Sequence, residues 1–145
     1  MKNTITLLVL VLLFNCSSDD SQDNNDLNQE NLISATWFVN EVINENSNSP
    51  NLSDCDRMDM RRFDSDGRFL FNFHVETNSI PCFVASEEAG SWEVNDNILT
   101  IIYDEFDPNG PNEMDFEIIS VTSSELRLSF FNQSISTNTE LVYIK

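Results

Sequence analysis

The sequence predicts an all-β fold, an antiparallel up-and-down β-barrel of about eight strands. Apolar and polar residues alternate along most of the chain after Leu32, and helical periodicity is scarce. The alternating segments are rich in β-branched and aromatic residues, and short sequences typical of tight turns separate them. Because closure leaves no strand edge exposed, a barrel is the expected arrangement of such a meander.

We expect one strand in each alternating segment, near residues 35–44, 55–63, 68–76, 89–95, 98–105, 113–121, 125–131 and 138–144. The connections are chemically suited to chain reversal, because Gly, Asn, Asp and Ser favour turns. These connections are Asp64-Ser65-Asp66-Gly67, Asn95-Asp96-Asn97, Thr122-Ser123-Ser124 and a longer loop from Asp107 to Asn112.

The first fifteen residues have the layout of a signal peptide, with Lys2 followed by a run from Ile5 to Phe14 that is apolar apart from Thr6. This run is too short for the ~20 residues of a membrane-spanning helix. Leu13-Phe14-Asn15-Cys16 resembles the lipobox of bacterial lipoproteins, in which the cysteine is lipidated and the preceding residues are removed. We therefore predict a signal peptide over residues 1–15 and lipid on Cys16. An ordinary secretory signal is the alternative.

The segment after Cys16 is acidic and has no basic residue before Asn31. It has too few apolar residues to fold, so residues 16–31 are expected to form a disordered tether. Ser17-Ser18-Asp19-Asp20 resembles the export signal that, in some Gram-negative lineages, sends lipoproteins to the outer face of the outer membrane. The resemblance implies a lipid-anchored protein that faces the cell exterior, and a plain spacer is the alternative.

Charge and cysteine content exclude one class of partner and predict one cross-link. The net charge of −18 repels nucleic acid, whose binding proteins carry basic patches.

With Cys16 lipidated, Cys55 and Cys82 remain as a pair, which in an exported chain predicts a disulfide. A metal site is the weaker interpretation, since no CxxC motif or histidine cluster accompanies the pair.

The clearest strand places Phe69, Phe71 and Phe73 on one face, which we expect to be interior. Its hairpin partner can pair with it in two registers. If Arg62 lies opposite Phe69, Arg62 faces inward. If Phe63 lies opposite Phe69, a bulged turn at Gly67 is implied and Arg61 faces inward instead.

Three short motifs lie at the starts and turns of the expected strands. They are Leu32-Ile33-Ser34-Ala35-Thr36-Trp37, Phe63-Asp64-Ser65-Asp66-Gly67-Arg68-Phe69, and Gly90-Ser91-Trp92-Glu93-Val94 with Asn97-Ile98-Leu99. Together they resemble the motifs of bacterial lipocalin-like domains, which are small calycin-type barrels often found on lipoproteins. The similarity covers most of residues 32–145, which we assign to one domain. Ala35 stands where the family usually has glycine.

The expected function is a non-enzymatic binding module. Trp37 and Trp92 should fill the barrel end, each with its indole N–H hydrogen-bonded. A small hydrophobic ligand would lie along Phe69, Phe71 and Phe73, and an inward arginine would meet an acidic head group. The alternative is a protein–protein interaction subunit of a surface complex, with a solid core and an apolar patch outside.

The residues for catalysis are scarce, and we expect no cofactor and no metal. With Gly67, Gly90 and Gly110 as the only glycines, no phosphate-binding loop can form, and His74 is the sole histidine.

One pattern favours an enzyme, because Glu113-Met114-Asp115-Phe116-Glu117 matches the E-x-D-x-E of retaining glucan hydrolases. That hypothesis requires the carboxylates to line a concave surface, whereas the barrel predicts them outside. One loop could alternatively hold Ca²⁺ through oxygen ligands, although its residues lack the EF-hand spacing and a solvated acidic turn is the other interpretation. The candidate ligands are Asp104, Glu105, Asp107, Asn109 and Glu113.

Overall fold

The computed structural model describes residues 29–46, 48–105 and 112–145. The predicted signal peptide, the lipidation of Cys16 and most of the tether therefore lie outside the described residues. Residues 29–33 form a helical turn, so the last residues that we assigned to the tether are helical.

Eight strands form a closed antiparallel barrel in which each strand pairs with its sequence neighbours and β1 pairs with β8. This confirms the predicted fold class. The strands are β1 (Thr36–Asn44), β2 (Met60–Phe63), β3 (Arg68–Val75), β4 (Phe83–Asn95), β5 (Ile98–Tyr103), β6 (Glu113–Val121), β7 (Glu125–Asn132) and β8 (Thr137–Ile144).

Two predicted boundaries were wrong. The strand expected from residue 55 begins at Met60, because Ser53 and Asp56 exchange backbone–side-chain hydrogen bonds and a 3-10 turn follows over Asp56–Met58. The strand expected from residue 89 begins at Phe83, since its first residues pair with β3. These residues are mostly small or acidic, so the apolar alternation that marks a strand is missing there.

The β2–β3 hairpin adopts the second of the two registers. Phe63 lies opposite Phe69 and Arg61 opposite Phe71, and Gly67 has a φ of 82°. Glycine suits this left-handed conformation, which residues with a Cβ rarely adopt. The register directs Arg61 into the barrel. Arg62 lies on the outer face instead, where its Nε is 3.3 Å from an oxygen of Asp64.

One end of the barrel is filled by aromatic and aliphatic side chains. Trp37 and Trp92 are buried there with Phe63, and the Phe63 and Trp92 rings meet edge to face at 5.4 Å. Trp37 Nε1 donates to the Ile33 carbonyl at 2.7 Å, and Trp92 Nε1 donates to the Asp64 carbonyl at 3.0 Å. Both indoles have the partners that the sequence analysis expected, and this end is a packed floor.

The other end of the barrel carries the disulfide. Cys55 and Cys82 are bonded with an S–S distance of 2.06 Å, as predicted from the pair of cysteines. The bond joins the segment before β2 to the segment before β4, so it holds two connections together where β3 ends. On the chain-entropy model such a cross-link stabilises the fold by about 3 to 4 kcal/mol.

Gly90 allows β4 and β5 to approach closely. It is buried opposite Tyr103, and a Cβ at this position would lie 2.1 Å from the carbonyl oxygen of Ile102. The obstructing atom is backbone, so relief would require the two strands to separate. The glycine of the Gly90-Ser91-Trp92 motif is therefore required by strand packing.

Gly90→Ala should destabilise the domain by about 1 to 3 kcal/mol, the usual cost of overpacking a buried site. Guanidinium unfolding followed by tryptophan fluorescence measures this directly. Ser91→Ala, a change at the next residue of the same strand, should leave the unfolding midpoint nearly unchanged. Equal midpoints for Gly90→Ala and the wild type would contradict the packing argument.

Candidate functional site

The candidate site is built on one row of residues that crosses four neighbouring strands. Trp37 lies opposite Arg61, Arg61 opposite Phe71, and Phe71 opposite Glu88. Directly opposite residues of antiparallel strands project from the same face of the sheet. Because Trp37 is in the core, the whole row projects into the barrel.

Arg61 is a positive charge surrounded by aromatic rings. Its Cζ lies 5.0 Å from the centroid of the Phe71 ring, 5.3 Å from that of Phe116 and 5.5 Å from that of Tyr143. Each distance is within the range of a cation–π interaction. The rings come from β3, β6 and β8, so barrel closure is what assembles them around the guanidinium.

Two of the three guanidinium nitrogens of Arg61 are buried and unsatisfied. Its Nε and Nη1 are buried and have no hydrogen-bond partner among the described residues. The other arginines of the described chain all have oxygen partners: Arg57 with Asn40, Arg62 with Asp64, Arg68 with Asp104, and Arg127 with Glu140. Buried guanidinium N–H groups without an acceptor are costly, and among the arginines of the described chain Arg61 is the one without an oxygen partner for its buried nitrogens.

Two tyrosines share the interior with Arg61. Tyr143 is 3% exposed, and burial raises the pKa of its hydroxyl, although the nearby charge of Arg61 opposes the increase. The pKa of Tyr103 is raised by burial as well, again against the effect of Arg61. The Tyr103 hydroxyl lies 3.6 Å from the sulfur of Met114. Both tyrosines therefore stay neutral at physiological pH.

The three phenylalanines proposed as ligand-lining residues occupy three different depths. Phe69 is 2% exposed and its ring packs 5.3 Å from that of Phe63, so it belongs to the floor and not to an accessible surface. Phe71 is half-buried, and Phe73 is 40% exposed. The rings of Phe71 and Phe73 are 6.4 Å apart and continue the interior face from Arg61 toward the open end.

The residues around Arg61 were not identified as its neighbours from the sequence. Phe116, Tyr103 and Tyr143 were assigned to strands, and alternation places Phe116 on the buried face of its strand, but nothing local indicates that these strands meet at Arg61. Glu88 was missed because the predicted strand began one residue later. Alternation within β4 would have placed Glu88 on the face of Trp92 if the strand had been extended.

The carboxylates of the E-x-D-x-E pattern lie on the outer face, as the barrel hypothesis predicted. Glu113, Asp115 and Glu117 are exposed, and Asp115 accepts a hydrogen bond from Thr100 Oγ1 at 2.7 Å. The buried residue of this stretch is Phe116. The arrangement has no concave surface between carboxylates, so the geometry required for the glucan hydrolase is absent from this strand.

His74 pairs with Asp59, a carboxylate whose charge also acts on Tyr143 in the barrel interior. Its Nδ1 is 3.4 Å from Asp59 Oδ1, and its backbone N–H donates to the same oxygen at 2.6 Å. Burial raises the pKa of Asp59, while these contacts with His74 oppose the increase. This pair connects the start of β2 to the end of β3.

The described residues contain no group of three or more His, Cys, Asp or Glu side chains that could hold a metal ion. Asp104, one of the candidate Ca²⁺ ligands, is instead paired with Arg68, whose Nη2 lies 2.8 Å from its carboxylate. Two other residues of that candidate site, Asp107 and Asn109, lie outside the described residues.

Within the described part of the chain, no helix has the length and hydrophobicity to cross a membrane.

Comparisons with known proteins agree with this architecture. A family model described as a lipocalin-like domain matches residues 33–128. The structure is similar to a lipocalin-like protein from Bacteroides uniformis, with a TM-score of 0.57, 14% identity, and coverage of 79% of this chain and 98% of that one. An uncharacterized protein from Bacteroides eggerthii gives a TM-score of 0.55 at 14% identity, covering 77% and 97%. None of the curated proteins matches the sequence.

The interior tyrosines predict a loss of stability at alkaline pH. Their pKa values are raised above the ordinary value of 10.0, so the folded protein retains protons that the unfolded chain releases. The free energy of unfolding should be level below a pH of about 10 and fall as the pH rises further.

Denaturant unfolding at several pH values between about 8 and about 11 measures this fall. In the double variant Tyr103→Phe with Tyr143→Phe, the alkaline decrease should be much smaller. The same decrease in the double variant and in the wild type would show that the two hydroxyls do not cause it.

Proposed function

Because the chain belongs to the lipocalin-like domain family, we propose that it is a non-enzymatic binding module whose barrel takes up a small hydrophobic ligand with an anionic group. The observation that carries this proposal is the guanidinium of Arg61, whose buried Nε and Nη1 have no partner among the described residues. A carboxylate or phosphate of the ligand would accept these hydrogen bonds and neutralise the charge.

The aromatic rings around Arg61 stabilise its charge, but they do not satisfy its N–H donors as an anion would. Cation–π contacts contribute about 0.5 to 2 kcal/mol each, but a ring face does not satisfy an N–H donor as an oxygen does. The rings also exclude water, which strengthens the interaction of Arg61 with an incoming anion. The site therefore favours a ligand in which the anionic group is attached to an apolar body.

The rest of the ligand would lie toward the open end of the barrel. Trp37 closes the floor with 0% exposure, whereas Phe73, on the same interior face, is 40% exposed. Phe71 and Phe73 would pack against the apolar body between these limits. In this pose the anionic group enters first and stops at Arg61.

The lipid anchor and the location of the protein are part of the proposal. The apolar run before Cys16 and the acidic segment after it support a lipoprotein held on the outer membrane and facing the cell exterior. Residues 17–28 would then separate the barrel from the bilayer. In this position the protein would capture a ligand outside the cell.

A second candidate function rests on the outer surface of the barrel. Phe38 lies opposite both Ile144 and Met60 on the outer face of β8, β1 and β2. Phe38 is 40% exposed and Ile144 41%. An apolar patch of this kind favours an interaction subunit that binds a surface protein, and it is compatible with ligand binding inside the barrel.

Arg61→Gln should weaken the binding of decanoate by about tenfold or more, since a charge-assisted hydrogen bond is lost. Isothermal titration calorimetry of the folded domain measures the change. Arg62→Gln is the matched control, because it removes the same charge from the outer face, and it should bind as the wild type does. Equal affinities for all three proteins would contradict the role of Arg61, and no uptake by the wild type would favour the interaction subunit.

Cys16→Ala should release the full-length protein from the membrane fraction, because the acyl chains that anchor it would be missing. Fractionation of cells that express the full chain measures the distribution. Ser17→Ala, a change at the adjacent residue, should leave the protein membrane-bound. Release of the wild type itself would contradict the anchor, and protection of the wild type from protease added to intact cells would contradict the outward orientation.

A further inference from the structure

Glu88 is a carboxylate on the interior face of the barrel. It lies opposite Phe71 in the β3–β4 pairing, so it projects from the same face as the ring that covers Arg61. Its charge acts on Tyr103, a residue packed against the core. The preceding residue, Glu87, lies opposite Asn72 and projects outward.

The row from Trp37 to Glu88 rises from the floor of the barrel to its opening. Trp37 is fully buried, Arg61 and Phe71 are half-buried, and Glu88 is exposed. Strands of a barrel are inclined to its axis, so a row that crosses them moves along the axis as well as around the wall. The positive charge is therefore deep in the barrel, and the negative charge lies nearer to the solvent.

The two charges do not neutralise each other. No ion pair within 4.0 Å joins Arg61 or Glu88 to any partner among the described residues. Their Cα atoms are two strand spacings apart, or roughly 10 Å, with the Phe71 ring between them. The row across β2, β3 and β4 thus presents a cation, an aromatic surface and an anion in sequence.

From this order we infer that the ligand is a zwitterion, with an anionic group at Arg61, an apolar middle on Phe71 and an ammonium group at Glu88. The inference rests on the proposed function, because it adds a second charged contact to the ligand that Arg61 would hold. It places Glu88 as a specificity residue that selects for a cationic group about 10 Å from the anion.

The overall charge of the protein supports a ligand without net charge. The chain carries a formal charge of −18, so a simple anion meets repulsion as it approaches the opening. Glu88 adds to that repulsion at the point of entry. A zwitterion avoids the net repulsion, and its ammonium group converts Glu88 from an unfavourable contact into a favourable one.

A pair of probes of equal chain length tests this inference. Octanoate carries the anion alone, whereas ω-aminooctanoate adds an ammonium group at a separation of about 10 Å, close to two strand spacings. We expect the wild type to bind ω-aminooctanoate about fivefold more tightly than octanoate, the effect of one partly exposed ion pair. Calorimetric titration at low ionic strength measures both affinities.

Glu88→Gln should abolish the preference for the amino probe while keeping the affinity for octanoate at least as high as that of the wild type. Glu87→Gln is the matched control, because it removes the same charge from the outward-facing neighbour, and it should retain the preference. Arg61→Gln should weaken both probes.

The outcomes separate this inference from the proposal on which it rests. Suppose that octanoate binds in a way that depends on Arg61. The zwitterion inference alone is then overturned if the wild type shows no preference for the amino probe, or if the preference survives Glu88→Gln. Binding of neither probe by the folded wild type would overturn both. Loss of the preference in Glu88→Gln but not in Glu87→Gln would establish Glu88 as the specificity residue.

Discussion

The site depends on the register of a single hairpin. Phe63 pairs with Phe69 because Gly67 takes a left-handed conformation in the turn, and this pairing directs Arg61 inward. A shift of one residue would exchange Arg61 with Arg62 and move Phe63 out of the floor. The burial of Phe63 at 1% exposure therefore stabilises the register, and the same register places an unpaired guanidinium in the barrel.

The two ends of the barrel have different physical tasks. At the floor, the indoles of Trp37 and Trp92 fill the interior and donate their N–H groups to backbone carbonyls, so the large rings are buried with their donors satisfied. At the other end, the Cys55–Cys82 bond holds the connections around the opening. Because the floor is packed with aromatic residues, the proposed ligand would have to reach Arg61 from the opposite end.

The electrostatics of the interior differ from those of the surface. Outside, arginines such as Arg68 and Arg127 are paired with carboxylates. Inside, Arg61 is held by ring faces and Glu88 is separated from it by Phe71. Exposed pairs contribute little to stability, whereas a half-buried charge without a partner is unfavourable. The unpaired charges of the row are therefore unfavourable to the stability of the fold, and a ligand with complementary charges would offset this cost.

The sequence by itself determined the strand order, the tryptophans of the floor and the disulfide. It also determined that either Arg61 or Arg62 had to face inward. These features follow from alternation, turn chemistry and residue type. The tertiary structure decided which arginine it was and assembled the rings of Phe116 and Tyr143 around it. It also decided that Phe69 belongs to the floor and that Glu88 joins the interior row. The choice of arginine depended on the turn at Gly67, for which the sequence allowed two registers. The rings of Phe116 and Tyr143 come from strands distant in sequence, and local patterns carry no information about how barrel closure brings those strands to Arg61.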